Sequence, residues 1–316
     1  MAVTNFDEVR ASGPVYSQGA PVVPFTTGTV YYVSSGAAGA SDNNAGTDKN
    51  KPLATVDGAI GKCTASVGDV IVLMPGHAET VTATNIALDV AGVTIVGLGY
   101  GLNRPVFTFG AAAATITVSA ANCTWKGCDF LANFLDVASA FTIGAAKDFR
   151  LEGNTFRATD SSKDFLSVVT TGSTANAADG LAVVGNYQFS LDVTTLATVS
   201  VLGNCDRLLI ERNFIDKACT NDAGQLLTVA ALVIRGARIQ RNFLNVVGST
   251  GAAVAVMITG SSTTNTGMVT HNHVTSLDTT GGLLITAAIN LAVHENYMSG
   301  VVAGSGTVFP AADSPA

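Results

Sequence analysis

The sequence predicts an all-β chain folded as a single parallel β-helix, a solenoid of stacked coils. One short motif recurs about every 28 residues, and apolar alternation over four to seven residues fills the space between its copies. Ala, Val, Thr and Gly are abundant where long helices would want Leu, Glu and Lys.

The motif is an aliphatic residue, two polar or small residues, Asn, then an aromatic or apolar pair. It reads Leu151-Glu152-Gly153-Asn154-Thr155-Phe156, Val183-Val184-Gly185-Asn186-Tyr187 and Ile210-Glu211-Arg212-Asn213-Phe214-Ile215. It continues as Ile239-Gln240-Arg241-Asn242-Phe243-Leu244, Val269-Thr270-His271-Asn272-His273-Val274 and Val293-His294-Glu295-Asn296-Tyr297-Met298. Trp125-Lys126-Gly127-Cys128-Asp129-Phe130 is a weaker copy, and Ile95-Val96-Gly97-Leu98 is the candidate first one. From Leu98 to Asn296 the steps are 30, 26, 32, 27, 29, 30 and 24 residues, as expected of coils of fixed shape carrying loops of varying length. Strands such as Phe141-Thr142-Ile143 and Val199-Ser200-Val201 lie between the copies. Two or three strands in ~28 residues leave no room for a βαβ unit.

Stacked coils bring equivalent residues to about 4.8 Å, the spacing of paired strands. Asn154, Asn186, Asn213, Asn242, Asn272 and Asn296 then form a structural ladder, each amide bonded to the next. The apolar residue three places before each Asn is expected to point inward, with Trp125 at an aligned position in the core or in an interface between subunits.

Hydrophobic residues are 47% of the 316 and charged residues 12%, which argues against disorder outside the ends. The net charge of −7, with few and scattered bases, does not suit a nucleic-acid partner. No run approaches the roughly 18 apolar residues of a membrane span, so no membrane partner is expected. Met1 to Glu8 lack the basic start and apolar stretch of a signal peptide, and the chain is expected to be made and kept in a cytoplasm. Cys63, Cys123, Cys128, Cys205 and Cys219 are scattered and read as free thiols.

With those residues in view, the chain resembles the pectin-lyase-like right-handed parallel β-helix superfamily. The most specific match is N-terminal: Tyr31-Tyr32-Val33, the Asn/Gly-rich Asp42-Asn43-Asn44-Ala45-Gly46-Thr47, Lys51-Pro52-Leu53-Ala54-Thr55-Val56 with Ala59-Ile60, then Val67-Gly68-Asp69-Val70-Ile71-Val72-Leu73-Met74. The resemblance implies a strand, a loop, a short helix capping the end of the coil stack, and a Gly-Asp turn into the first coil. Thr55 is the natural N-cap for a helix over residues 56–63. Pro75-Gly76-His77-Ala78-Glu79 and the Ala/Thr-rich coils look most like β-helix proteins of tailed-bacteriophage virions.

Enzymes of that superfamily cut acidic polysaccharides, with a base and clustered Asp, or with two or three convergent carboxylates. The two columns preceding Asn hold Gly127, Gly153, Gly185, Arg212, Arg241, His271, Glu295 and Lys126, Glu152, Val184, Glu211, Gln240, Thr270, His294. Neither stacks two carboxylates on successive coils, so no catalytic residue, cofactor or metal is expected. The best surface ligand candidate is Arg212, Arg241, His271, His294 and Glu295, set against the plainer reading of a solvated charge ladder. His271 and His273 lack a third metal ligand. Asp160, Asp164, Asp179 and Asp192, and Asp42, Asn43, Asn44 and Asp48, read as solvated loop or turn residues. Few aromatics remain outside the repeat for an exposed sugar platform.

Three segments follow: an extended anchoring arm over 1–28, the β-helix over 29–300 and a tail over 301–316, both ends expected to be pinned by a partner. Weakly charged Ala/Val/Thr faces suit lateral packing as a closed homotrimer, also by resemblance. The expected function is a non-enzymatic virion structural protein: a bacteriophage capsid decoration or head-fibre protein. On this reading it assembles in the host cytoplasm and contacts a capsid or other virion protein through 1–28, with a possible surface glycan. The alternative is a tailspike-type enzyme that binds and degrades polysaccharide.

Overall fold

The computed structural model describes residues 16–17, 20–21, 26–83, 85–190, 196–218, 226–229, 233–247, 254–258, 264–276, 283–286, 290–300 and 307–309. The chain is a right-handed parallel β-helix of three sheets. Sheet 1 has ten strands from Val30–Val33 to Leu291–His294, sheet 2 has ten from Ala78–Val81 to Thr307–Phe309, and sheet 3 has eight from Ile86–Leu88 to Leu283–Thr286. One coil shows the path: Thr124–Lys126 in sheet 1, Asp129–Ala132 in sheet 2, Val137–Ile143 in sheet 3, then Arg150–Glu152 back in sheet 1. Thr307–Phe309 departs from the parallel rule by pairing antiparallel with Asn296–Gly300. Most of the expected arm and tail, with Cys219 and Asp192, lies outside the described residues.

Strand register reproduces the aligned columns. Lys126 pairs with Glu152, then Val184, Glu211, Gln240, Thr270 and His294 in turn. Ile95, Trp125, Leu151, Val183, Ile210, Ile239 and Val269 are buried in one inward column. Trp125 is therefore core. Ile95 and Val96 stack in register on Trp125 and Lys126, but Leu98 is exposed because the chain leaves the coil there for a loop.

The interior is aromatic in its N-terminal half. Phe107, Phe130 and Phe156 stack on successive coils with ring centroids 5.4 and 4.9 Å apart. Trp125 meets Phe107 and Phe141 edge-on. Such pairs each add about 0.5–1.5 kcal/mol beyond the area they bury.

The N-terminal end is closed as the sequence predicts, by a shorter helix. Helix α1 spans Val56–Ile60; the Thr55 hydroxyl accepts from Gly58 N, and Val56, Ala59 and Ile60 are buried. Asp42 ties the loop down, with Oδ1 accepting from Ala54 N and Thr55 N at 2.9 and 3.0 Å. Its role is thus turn chemistry. Gly68, at φ 86°, and buried Asp69 make the turn into the second strand of sheet 1, Asp69 accepting from Thr29 N and Thr64 N. His77 is buried against Phe107, its Nδ1 accepting from Ser35 N at 3.1 Å.

Asp164 corrects an expectation. It is buried, accepts from its neighbour Phe165 N at 2.6 Å and takes the Ser190 hydroxyl. It belongs to an interior polar layer with Gln188, Ser190, Thr198 and Lys217, all buried. Periodicity could not show this, because the loop of 159–163 hides where strand Phe165–Thr171 begins. Cys63, Cys123, Cys128 and Cys205 are free thiols. Among the described residues no helix is long and apolar enough to cross a membrane.

Candidate functional site

The corner between sheets 1 and 2 concentrates the chain's distinctive side chains. A strand of sheet 1 ends, two residues turn, and a strand of sheet 2 begins. The first turn residue is Gly127, Gly153, Gly185, Arg212, Arg241, His271 or Glu295, always in the left-handed region with φ from 53° to 81°. Its N–H donates across to the next coil, as from Gly153 to Val184 O at 3.0 Å and from Gly185 to Glu211 O at 2.8 Å. The second turn residue is the ladder Asn.

Each Asn is held from both sides. In Asn213, Oδ1 accepts from Asn186 N and Nδ2, while Nδ2 donates to Val183 O at 2.9 Å and to Asn242 Oδ1 at 2.9 Å. The same pattern runs from Asn154 to Asn296. The Asn amide carries its donor and its acceptor on separate atoms, so identical side chains can chain in this way. At the lower end Asn296 Nδ2 turns to His294 O. At the upper end Cys128 stands in the column, giving its N–H to Asn154 Oδ1 at 3.0 Å.

The five candidate residues fall on the outside of this corner as two groups. Glu211 Oε1 lies 3.4 Å from Arg212 Nε and 3.6 Å from Arg241 Nη1. Glu295 Oε2 lies 3.0 Å from His271 Nε2 and 3.4 Å from His294 Nδ1, and the Thr270 hydroxyl meets Nδ1 of both histidines. Glu211 was missed as a member, although it stands in the adjacent aligned column. His271 and His273 do not converge, because the turn sends them into different columns.

The expectation of few exposed aromatics is corrected here. The residue after each Asn points outward, and Tyr187, Phe214, Phe243, His273 and Tyr297 form an outer column. Tyr187–Phe214 and Phe214–Phe243 centroids are 5.2 and 4.8 Å apart, with planes within 11° and 8°. Which member of the pair faced out required the strand register: in Asn154-Thr155-Phe156 the aromatic is the inner residue, in Asn213-Phe214-Ile215 the outer. Stacked so closely, these rings cover one another's faces and present edges to solvent.

Above that column the corner carries a glycine shelf. The loop of 98–105 contains a one-turn 3₁₀ helix, Gly101–Asn103, and folds over Gly127 and Gly153. Arg104 pins it, Nε donating to Gly127 O at 3.0 Å, Nη1 to Thr155 Oγ1 at 2.9 Å and Nη2 to Gly153 O. Tyr100 and Leu102 stand 94% and 99% exposed at its tip.

Among the described residues no group of three or more His, Cys, Asp or Glu is placed to hold a metal ion. Burial pushes the thiols of Cys63, Cys128 and Cys205 up to about 12, so none is an activated nucleophile. The Arg150 guanidinium lowers Glu152, and the Ser162 hydroxyl and N–H with Lys163 hold Asp160 at about 2.

Fold and corner together define a parallel β-helix whose repeated side chains are organised as ladders. No protein-family model matches the chain, and no curated protein matches it. Among solved structures it is similar to one titled "Rhamnogalacturonan lyase", with TM-score 0.36 and 13% identity over 85% of this chain and 87% of that one. A likeness at that level says nothing about activity.

Proposed function

We propose that the chain is a non-enzymatic structural protein of a virion, a bacteriophage capsid decoration or head-fibre protein. It is attached through its N-terminal arm, residues 1–28, and assembled as a homotrimer. The observation that carries the non-enzymatic reading is the pairing of six carboxylates along the coils with arginine or lysine. Asp129 faces Arg104 and Arg157, Asp148 faces Arg207, Glu152 faces Arg150, Asp179 faces Lys147, Asp206 faces Arg235 and Glu211 faces Arg212 and Arg241. A general acid at neutral pH needs the opposite surroundings, away from cations and desolvated. The virion placement rests on the likeness of Pro75 to Glu79 and the Ala/Thr-rich coils to phage β-helix proteins.

Imaging purified particles tests this reading. Density for the chain at capsid lattice points is expected, and its absence from the particle, or its presence at the tail tip alone, would refute capsid decoration. The second reading, a tailspike-type polysaccharide-binding or -degrading enzyme, is favoured by exposed aromatics beside Arg212 and Arg241. Release of reducing ends from host polysaccharide by the purified chain would establish it over the first.

A further inference from the structure

Resting on the homotrimer reading, we infer that the outer face of sheet 2 from Tyr187 to Tyr297 is the surface on which copies of this chain pack, side by side and parallel.

One outward column runs the length of sheet 2 and differs between its two ends. Val106, Asp129 and Thr155 continue in register into Tyr187 and Phe214. Over the first three the loop of 98–105 forms a cover: Leu102 and Val106 line one hollow, and Arg104 reaches Asp129 and Thr155. From Tyr187 onward the column stands open, with Tyr187, Phe214 and Tyr297 at 38, 40 and 52% exposure and Val247 beside them at 39%. Tyr187, Phe214 and Phe243 use their ring faces on one another, so a partner meets a straight apolar edge and no platform for a flat ligand. The column offers one such residue per coil, at the ~4.8 Å of paired strands. A parallel neighbour built of the same coils matches that spacing along its whole length.

Charge points to a second copy and sets its direction. Sheet 1 shows Lys126, Arg150, Glu152 and Arg238 on its outer side, and sheet 3 shows the hydroxyls of Thr142, Thr170 and Ser200. Among the described outward residues of sheet 2 from Tyr187 on, Asp216 is the single acid and there is no Lys or Arg. A chain of net charge −7 therefore repels its copies least on this apolar face.

What charge there is lies on the two flanks of the rings. Arg212 and Arg241, two residues before Phe214 and Phe243, share the one carboxylate of Glu211, which leaves that flank positive. Asp216, two residues after Phe214, is bonded by Asn245 Nδ2 at 2.8 Å and has no cation at ion-pair distance among the described residues. Cyclic packing of parallel copies with the rings toward the axis sets the arginine flank of each copy against the Asp216 flank of the next. An antiparallel pair sets arginine against arginine. Charge thus selects the parallel ring, and closure of the ring leaves no open end. Aromatic residues and arginine are also the types enriched where proteins meet.

Light scattering after size exclusion, over a dilution series, reads the mass of the full chain, and circular dichroism checks that each variant keeps its coils. Expected is a wild-type trimer. Phe214→Asp and Asp216→Lys should each weaken assembly at least about tenfold, whereas Ser200→Asp on sheet 3 should leave it intact. Phe243→Cys, a milder change, should form covalent dimers on oxidation, because equivalent residues of parallel copies meet about the axis. Should Phe214→Asp fail to fold, Asp216→Lys and the cross-link decide. A wild-type chain that is not trimeric refutes the homotrimer reading and this interface with it. A wild-type trimer refutes the interface alone if it survives the sheet 2 substitutions, is weakened equally by Ser200→Asp, or yields no cross-link in Phe243→Cys.

Discussion

Asn186 gives both its backbone N–H and its side-chain amide to a single atom, Oδ1 of Asn213, at 2.9 and 3.2 Å. The two residues lie 27 apart in sequence and are both buried. That bifurcated contact, repeated down the corner, joins each coil to the next where the backbone turns too sharply for ladder bonds alone. It sets the first prediction. Asn213→Ala strands the Asn186 N–H and the Val183 carbonyl, and should cost about 2–4 kcal/mol. Asn213→Asp should cost more, since a buried carboxylate would oppose Asn242 Oδ1. Equilibrium urea unfolding measures both, and a loss under about 0.5 kcal/mol in either would refute the ladder's energetic role.

Glycines of the corner column should differ in their tolerance of a methyl group. At Gly153 an added Cβ meets nothing within 4 Å, so Gly153→Ala should cost only the left-handed conformation, about 1 kcal/mol. At Gly127 the Cβ would stand 2.7 Å from Gly97 O at φ 81°, and the loss should be clearly larger. Paired melting curves distinguish them.

Inner and outer aromatics should separate in the same way. Phe130→Ala opens a cavity among Phe107, Trp125, Phe141 and Phe156, and should cost about 3–5 kcal/mol. Phe214→Ala removes two exposed stacking contacts and should cost about 1–2 kcal/mol. Equal losses would contradict the assignment of the two columns.

Alkaline pH should weaken the fold through its thiols. Cys63, Cys128 and Cys205 titrate at about 12 in the folded chain, against an ordinary value of 9.0. A raised pKa means the folded state holds the proton more tightly, so this stability is complete below about pH 9 and declines from there toward pH 12. Denaturant midpoints should fall across that window, less steeply in Cys128→Ala after allowing for its own lost packing. Native thiols at pH 8 should react with a disulfide reagent far more slowly than in the unfolded chain.

Much of the architecture was legible before any coordinates. The spacing of Asn154 through Asn296 set the coil length, and the apolar residue three places earlier marked the inward face. Thr55 marked the start of α1, though the helix stops at Ile60, where Gly61 ends the last turn. The charged residues Arg212, Arg241, His271 and Glu295 were also visible as one column, with His294 in the column beside it. Periodicity did not reveal Glu211 as the shared partner of two arginines, or Asp164 as an interior residue.

The sequence by itself therefore determined the repeat, its strands and its ladder, because period and residue type act within one coil and its neighbour. The tertiary structure alone decided what the corner presents to solvent. A loop leaving at Leu98 and returning at Pro105 crosses coils that are up to about 50 residues away, bringing Arg104 to Thr155. Loop closure of that kind leaves no periodic trace in the chain, so neither the glycine shelf nor the clamp of Arg104 on Gly127, Gly153 and Thr155 could be read until the coils were stacked.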